Sequence, residues 1–156
     1  LCVELIAQYE PVARELRLAL MIIKMNKDLE RVADHAVNIC QSGEYLLSNG
    51  FNDTNHEIQA MAEGAMGMFR DSIKAFASED VVLAKQVCER DNSVDEAGDQ
   101  ILKRLTDLMH HQKESIPQSL HIMRIAYNSE RIADLSTNIA EEVIYIIQGE
   151  DVKHQH

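Results

Sequence analysis

The sequence predicts an all-α protein, because three features of its 156 residues favour long helices over strands. Aromatic residues make up only 4% of the chain and Trp is absent, whereas β-sandwiches depend on β-branched and aromatic side chains. Six Gly and two Pro are too few for the many turns of an all-β fold. Apolar residues also recur at helical spacing over long segments. We therefore predict a helical bundle with an aliphatic core.

The first long helix is predicted over residues 11–48, where apolar side chains recur at i, i+3, i+4 and i+7. Pro11 is tolerated in the first turn of such a helix. Residues 1–9 have the pattern of the end of another helix, so we expect the N-terminus to be cut from a longer chain. The Asn-Gly pair at the start of 49–53 favours the positive φ of a helix end, and the first turn is predicted there.

Two more helices are predicted from capping signals. Thr54 followed by Glu57 matches a capping box, which predicts a helix that runs to about Phe76. Ser78, followed by two acidic residues, is the predicted N-cap of a third helix that ends near Gln112. Short polar turns between long helices are typical of antiparallel neighbours in a bundle.

Ser115 and Pro117 are the predicted start of the last helix, which should end near Gly149. The polar residues 150–156 are predicted to fray. Residues 51–149 would then contain three complete helices. Residues 1–50 would contain only the end of one helix and one long helix.

An internal repeat links these two parts of the chain. Residues 30–39 and 130–139 share Glu, Arg, Ala, Asp, Asn and Ile at equivalent positions, and Tyr45 and Tyr145 keep the same register. Self-similarity over such a long period indicates a duplicated structural unit. We therefore predict two related halves, of which the first is incomplete in this chain.

Charge, hydropathy and cysteine content limit the possible partners and the cellular compartment of the protein. The formal net charge is −11 and basic residues are not clustered, which disfavours nucleic acid and anionic membrane surfaces. No apolar run approaches the ~18–20 residues of a transmembrane helix, so direct membrane insertion is not expected. Cys2, Cys40 and Cys88 are widely spaced, which indicates a reducing cytoplasm. Cys40 and Cys88 are predicted to be small core residues.

Acidic and amide side chains line three predicted helix faces at i, i+4 and i+8. At this spacing each side chain is rotated by only about 40° around the helix axis from the one before it, so all three share one face. Carboxylates one turn apart repel each other by about 0.2–0.5 kcal/mol per pair, so a compensating partner is expected. We call these faces the carboxylate seams; they consist of Glu30, Asp34 and Asn38, of Glu130, Asp134 and Asn138, and of Asp91, Asp95 and Asp99.

Two explanations of the seams remain open. In the first, solvent and salt bridges within each helix compensate the charges, since Arg31 and Arg131 each precede an Asp of the repeat by three residues and Lys27 precedes Glu30 by three. In the second, two seams face each other and their oxygens bind a hard cation such as Mg²⁺, Mn²⁺, Ca²⁺ or iron. The facing pairs would be Asp91 and Asp95 with Glu130 and Asp134.

Several segments resemble PhoU proteins. Residues 8–17, QYEPVARELR, and 25–39, MNKDLERVADHAVNI, resemble the central region of that family. Residues 128–145, which begin NSERIAD, resemble its C-terminal end. The resemblance implies PhoU-like tandem three-helix bundles, related by pseudo-symmetry, with the first bundle incomplete here.

The resemblance also implies a function. PhoU proteins are cytoplasmic regulators, often homodimers, that act with the ATPase of a Pst-type ABC phosphate transporter and a sensor histidine kinase to repress phosphate uptake and starvation genes. Their E(D)xxxD motifs bind clusters of divalent or trivalent metal ions, and iron, zinc, manganese and magnesium all remain open here. By position, the motif pairs are Glu30 and Asp34, Asp91 and Asp95, and Glu130 and Asp134.

The sequence departs from the family pattern in two places. The helix that would oppose Glu30 and Asp34 is not found in the chain, so we expect the first site to be half-built. Leu135 replaces the histidine that follows the acid in the first copy, so His35 is not expected to be a required ligand.

Enzymatic alternatives find little support. A ferritin-like di-metal enzyme needs Glu-x-x-His on two helices, and the sequence has no such motif. Neither a Gly-flanked nucleophile nor a phosphate-binding loop is present. The chain is therefore not expected to be an enzyme. The remaining alternative is a metal-free helical adaptor, whose acidic faces dock basic surfaces of partner proteins.

Overall fold

The computed structural model describes residues 2–9, 13–50 and 56–148. These ranges contain no strand, so the all-α prediction is confirmed for the described residues. Pro11, Thr54 and residues 149–156, to which the sequence assigned helix ends and a frayed tail, lie outside them. The helices are α1 (Cys2–Tyr9), α2 (Ala13–Ser48), α3 (His56–Ser78), α4 (Val81–His111) and α5 (Ile116–Gln148).

The turn between α3 and α4 differs from the sequence prediction. Asp80, not Ser78, is the N-cap of α4, and its Oδ1 accepts a hydrogen bond from the Leu83 backbone N–H at 3.0 Å. The Ser78 hydroxyl instead donates to the carbonyl of Lys74, at the end of its own helix. Glu79 joins the two helices with a φ of 53°. The prediction of Ser78 was wrong because an Asp two residues later satisfies the first amides of α4.

The start of α5 matches the prediction closely. A 3₁₀ turn at Lys113–Ser115 precedes the helix, and the Ser115 hydroxyl donates to the Gln112 carbonyl. Pro117 lies in the first turn, where a missing backbone N–H does not interrupt helical hydrogen bonds.

Helix α5 is the centre of the fold. It packs against α2, α3 and α4, while α3 and α4 also pack against each other. The helices α3, α4 and α5 therefore form a three-helix bundle, and α2 lies along α5 outside that bundle, with α1 packed on it. The core is aliphatic as predicted, and its fully buried large side chains include Met21, Met68, Ile101, Leu105, Leu135, Ile139 and Ile144.

A salt bridge and a stacked ring pair show that α2 and α5 are antiparallel. Lys24 forms a salt bridge of 2.8 Å with Glu142, near the end of α5. Near the other end of the pair, the ring of Tyr45 stacks on that of His121 with a centroid distance of 3.7 Å. Because early residues of α2 meet late residues of α5, the two copies of the repeat cross near the middle of both helices.

A buried amide links the two helices at this crossing. Asn128 is only 3% exposed, and its Oδ1 accepts from Asn38 Nδ2 at 3.2 Å and lies 2.8 Å from His35 Nδ1. Arg124 donates to Asn38 Oδ1 at 2.7 Å and extends the network to the surface. His35 therefore has a polar contact with α5.

The exposed face of α2 corrects one prediction. Cys40 is exposed rather than part of the core, whereas Cys88 is half-buried against core residues. In the second copy of the repeat, Ala140 is fully buried at the position equivalent to Cys40. The difference arises because α3 and α4 pack around α5 and not around α2.

In the part of the chain that the structure describes, no helix combines the length and the apolarity needed to cross a membrane.

Candidate metal centre

The carboxylate seams of α4 and α5 face each other, as predicted for the second half of the chain. Asp91 and Asp95 on α4 interact electrostatically with Asp134 on α5. Glu130 lies one turn before Asp134 and interacts with both Asp95 and Asp99. Later residues of α4 thus meet earlier residues of α5, as expected for antiparallel neighbours.

This arrangement disfavours ionised carboxyl groups. Burial is the main cause of the raised pKa of Asp91, and the negative charges of Asp95 and Asp134 add to it. Burial also raises the pKa of Asp95, together with Asp134 and Asp99. The pKa of Glu130 rises by burial and by the charges of Asp95 and Asp134. A cation between the helices would relieve this repulsion.

Two buried oxygen atoms beside the seams lack hydrogen-bond partners. They are Asp91 Oδ1 and Thr137 Oγ1, on facing sides of α4 and α5. The Thr137 hydroxyl is nevertheless the neighbouring donor that offsets part of the pKa rise of Asp91. A pocket of about 220 Å³ opens here, and its lining includes Arg31, Asp91, Arg131, Asp134 and Asn138.

Arginine side chains compensate part of the negative charge. Arg131 donates to Asp134 Oδ2 at 2.7 Å, so the salt bridge predicted within the second copy is present. The guanidinium of Arg131 also donates to the Tyr127 hydroxyl at 3.2 Å and lies 5.2 Å from the centre of that ring. These contacts raise the pKa of Arg131, which stays charged.

Arg31 pairs differently from its repeat equivalent. It approaches Asp28 at 3.7 Å, whereas the sequence predicted a bridge to Asp34. Because Arg31 also lines the pocket beside Asp134, its side chain extends toward α5. Asp34 is exposed on α2, whereas its repeat equivalent Asp134 is half-buried.

The first pair of predicted ligands lies apart from this cluster. Glu30 and Asp34 are exposed, and the described contacts of α2 are with α1 and α5. The structure therefore brings Asp91, Asp95, Glu130 and Asp134 together but leaves Glu30 and Asp34 outside.

The donor chemistry of the cluster fits a hard cation. Carboxylate oxygens are preferred by Mg²⁺, Mn²⁺, Ca²⁺ and iron, and Asp91 Oδ1 is a buried oxygen without a partner. Within residues 2–9, 13–50 and 56–148, however, no three His, Cys, Asp or Glu side chains surround one point as a ligand set. Metal ligation by these residues therefore stays a prediction.

Sequence analysis missed the contribution of Gly98. This residue is buried on α4, and a Cβ at its position would lie 3.3 Å from Glu130 Oε2 and 3.2 Å from Met61 Cε. The absence of a side chain lets the Glu130 carboxylate lie against α4, between Asp95 and Asp99. A glycine inside a helix lowers stability by about 1 kcal/mol relative to alanine. Such an unfavourable residue within an acidic seam was the signal from which a role for Gly98 could have been predicted.

The raised pKa values predict how stability depends on pH in the absence of metal. Above the ordinary pKa values, 3.8 for Asp and 4.5 for Glu, the unfolded carboxyls lose protons that the folded protein still holds. The contribution of these groups is full below those values and is lost as pH rises through the folded pKa values. We expect urea unfolding in EDTA to show this loss as the pH rises above these ordinary values.

A variant with Asp91→Asn, Asp95→Asn and Glu130→Gln serves as the control. Its free energy of unfolding should fall less over the same pH range, because the three titrating groups are absent. Parallel pH profiles for the two proteins would contradict the prediction.

Comparisons with known proteins place this geometry in a family. The pattern described as PhoU domain matches residues 1–43 and 58–143. A phosphate-specific transport system accessory protein PhoU homolog from Aquifex aeolicus is 37% identical over 155 residues, which cover 99% of this chain and 70% of that protein. The accessory protein PhoU of Escherichia coli K12 is 31% identical, over 98% of this chain and 64% of its own length.

Solved structures give the same result. The crystal structure of PhoU from Pseudomonas aeruginosa matches with a TM-score of 0.92 and 32% identity, over 96% of this chain and 72% of that one. The phosphate transport system regulatory protein PhoU from Streptococcus pneumoniae matches with a TM-score of 0.86 and 29% identity, over 97% and 70%. These matches confirm both the helical fold and the resemblance seen in the sequence. The chain therefore belongs to the PhoU family.

Proposed function

We propose that this chain is an accessory and regulatory component of a phosphate-specific transport system. Its similarity to proteins of that name, across 98–99% of its length, carries the proposal. In this role it acts in the cytoplasm, with the transporter ATPase and a sensor histidine kinase, to limit phosphate uptake. The role is regulatory rather than enzymatic.

A tagged copy of the chain in phosphate-replete cells tests this role. Affinity purification followed by mass spectrometry should recover the transporter ATPase or the sensor kinase, and recovery should fall on phosphate starvation. Absence of both proteins under both conditions would contradict the proposal.

Metal binding is the second part of the proposal. A divalent or trivalent ion, such as iron, zinc, manganese or magnesium, is held between α4 and α5 by Asp91, Asp95, Glu130 and Asp134. The raised pKa values of three of these carboxyls and the unpartnered Oδ1 of Asp91 support this. The bound cation offsets the repulsion and ties the two helices together.

Glu30 and Asp34 form the equivalent half-site on α2. Their exposure leaves them accessible to ligands from outside the described helices, and a homodimer is one source of such ligands. Cross-linking combined with the metal measurement below shows whether ion content changes with oligomeric state.

Metal removal is expected to lower stability measurably. Protein purified without chelator should contain metal by elemental analysis, and EDTA should lower its melting temperature. A ligand at 100 times its Kd stabilises the folded state by about 2.7 kcal/mol, which sets the scale of the effect. The variant Glu130→Gln with Asp134→Asn should contain less metal and respond less to EDTA.

A matched control removes the same charges elsewhere. Glu96→Gln with Asp107→Asn changes two exposed side chains of α4 and should retain the metal. Equal metal loss in both double variants would show an effect of net charge and not of the seams.

The alternative function is a metal-free adaptor that docks basic partner surfaces. The net charge of −11 favours it. It predicts that partner recovery survives EDTA and falls with rising salt, because exposed charge pairs are screened. Loss of the partner on EDTA treatment alone would favour the metal-dependent form.

A further inference from the structure

The central helix α5 has one side that the other helices leave open. Arg124 donates to Asn38 of α2, whereas Glu130 faces the acidic residues of α4, so α2 and α4 cover different sides of α5. Arg131 lines a pocket to which both α2 and α4 contribute residues. A strip of α5 therefore remains accessible along the groove between these two helices.

Six side chains that are exposed or half-buried follow this strip. At 100° per residue they lie within about 80° of the helix circumference. We call this face the open stripe; it consists of Ile116, Leu120, Arg124, Tyr127, Arg131 and Tyr145. Four of the five large apolar side chains exposed on α5 belong to it. Exposed apolar side chains that share one face mark interaction sites, whereas singly scattered ones do not.

The open stripe is free of acidic residues over its first half. Residues 115–129 form the longest segment of the chain without Asp or Glu, although 26 of the 156 residues are acidic. Arg124 is exposed, and in the described part of the chain its guanidinium donates to the side-chain oxygens of Asn38 and Gln41, at 2.7 Å and 3.3 Å. Both partners are neutral. A carboxylate would form a stronger, charge-assisted pair with this arginine.

Arg131 and Tyr127 form the second half of the recognition surface. The guanidinium of Arg131 has five N–H donors, and it contacts the Tyr127 hydroxyl through Nε and Asp134 through Nη1. Donors therefore remain for a further carboxylate. The Tyr127 ring beside them is 52% exposed. Tyr and Arg are among the residues that most often dominate binding energy at protein interfaces.

The internal repeat supplies a second, partly similar stripe on α2. The α2 residues at the equivalent positions are Leu20, Lys24, Lys27 and Arg31. Lys24 is paired with Glu142 at 2.8 Å, and Lys27 replaces the aromatic ring of Tyr127. The α5 stripe thus combines a tyrosine with an arginine that has neutral partners, and the α2 stripe does not.

We propose that the open stripe binds an acidic amphipathic helix of a partner protein. Arg124 and Arg131 are seven residues apart on one face, which is about 10.5 Å along the axis. Carboxylates at i and i+7 of a second helix match this separation, whereas residues on one face of a strand are about 6.7 Å or 13 Å apart. An apolar residue between the carboxylates covers Tyr127, and another, one turn beyond, covers Leu120.

The net charge of −11 is compatible with an acidic partner. Exposed charges act over about 8 Å at physiological ionic strength, so acids elsewhere on the surface are largely screened. Asp134, the acid nearest to Arg131 on α5, is already paired with it. The partner expected here has the opposite charge to that of the metal-free adaptor, and the inference depends neither on bound metal nor on the proposed role in phosphate transport.

Two synthetic helical peptides test the proposal. The first carries Leu, Glu, Leu and Glu at spacings of four, three and four residues in a neutral host of Ala and Gln, and the second has Gln in place of both Glu. Fluorescence anisotropy measures binding of each labelled peptide to the full chain in EDTA. The acidic peptide should bind saturably, and the neutral one about 3- to 30-fold more weakly, because two charge pairs are lost.

Removal of the arginine tests the charge pairing. Arg124→Gln should reduce the ratio of the two peptide affinities about 2- to 5-fold, because it deletes one of the two pairs. Arg70→Gln is the matched control, since it removes an exposed arginine from α3, and it should leave the ratio unchanged.

Removal of the leucine tests the apolar contact without a change in charge. Leu120→Ala should weaken both peptides about 3- to 10-fold. Leu20→Ala makes the same change at the equivalent repeat position on α2, where the side chain is 48% exposed, and should change neither affinity. Because both leucines are exposed, both variants should fold, and circular dichroism melting checks this. This pair decides the test even where Arg124→Gln does not fold.

Three results would overturn the proposal. The first is the absence of saturable binding of the acidic peptide. The second is equal affinity for the acidic and the neutral peptide, which would show that the arginines play no part. The third is a loss of binding in Arg70→Gln or Leu20→Ala as large as in the matching stripe variant, which would show adsorption outside the open stripe.

Discussion

Replacing Leu135 with alanine is expected to lower the free energy of unfolding by about 2–5 kcal/mol. Leu135 is 2% exposed and belongs to the core cluster of the α3–α4–α5 bundle. Its side chain also lines the pocket beside Asp134, so truncation would open that pocket toward the core. Because α5 packs against three other helices, a cavity here weakens packing at the centre of the fold.

Urea unfolding followed by circular dichroism measures this effect. Leu120→Ala is the matched control, since it makes the same change on the same helix at a residue that is 54% exposed. It should change the free energy of unfolding by no more than about 0.5 kcal/mol. Equal losses in the two variants would show that burial at position 135 does not determine the result.

Replacing Gly98 with alanine is expected to separate the stability of the fold from the proposed metal affinity. The new Cβ would meet Met61 Cε at 3.2 Å and Glu130 Oε2 at 3.3 Å, both at the ends of flexible side chains that can move. Alanine favours the helix by up to about 1 kcal/mol, so the variant should fold. Displacement of the Glu130 carboxylate from α4 should weaken binding of Mn²⁺ about 10- to 100-fold.

Two measurements and a control distinguish these effects. Calorimetric titration with Mn²⁺ gives the affinity, and urea unfolding in EDTA gives the stability without metal. Gly67→Ala places the same substitution on α3, where a Cβ meets no atom within 4 Å, and it should leave the Mn²⁺ affinity unchanged. Unchanged affinity in Gly98→Ala would show that the position of Glu130 against α4 does not matter for the ion.

The helices could be predicted because their signals are local. Apolar spacing and the few turn residues placed the end of α2, both ends of α4 and the start of α5 within about two residues of those observed. The error at Ser78 arose from a choice between neighbouring cap residues, which depends on the geometry of the turn. The internal repeat could also be recognised without the structure, because its detection requires only that two segments of the sequence be compared.

The candidate site was predicted in part. Spacing placed Asp91 and Asp95 on one helix face and Glu130 and Asp134 on another, and the structure shows these faces opposite each other. Gly98 and Thr137 were missed because their roles depend on contacts between α4 and α5.

The sequence by itself determined that the chain is helical, duplicated and acidic along regular faces, because helical periodicity depends only on neighbouring residues. The tertiary structure alone decided which faces are covered. Because α3 and α4 surround α5 and leave α2 outside, Ala140 is buried while Cys40 is exposed. For the same reason, Asp134 meets opposing carboxylates while Asp34 remains exposed on α2. Equivalent residues of the repeat differ because burial depends on packing between distant segments of the chain.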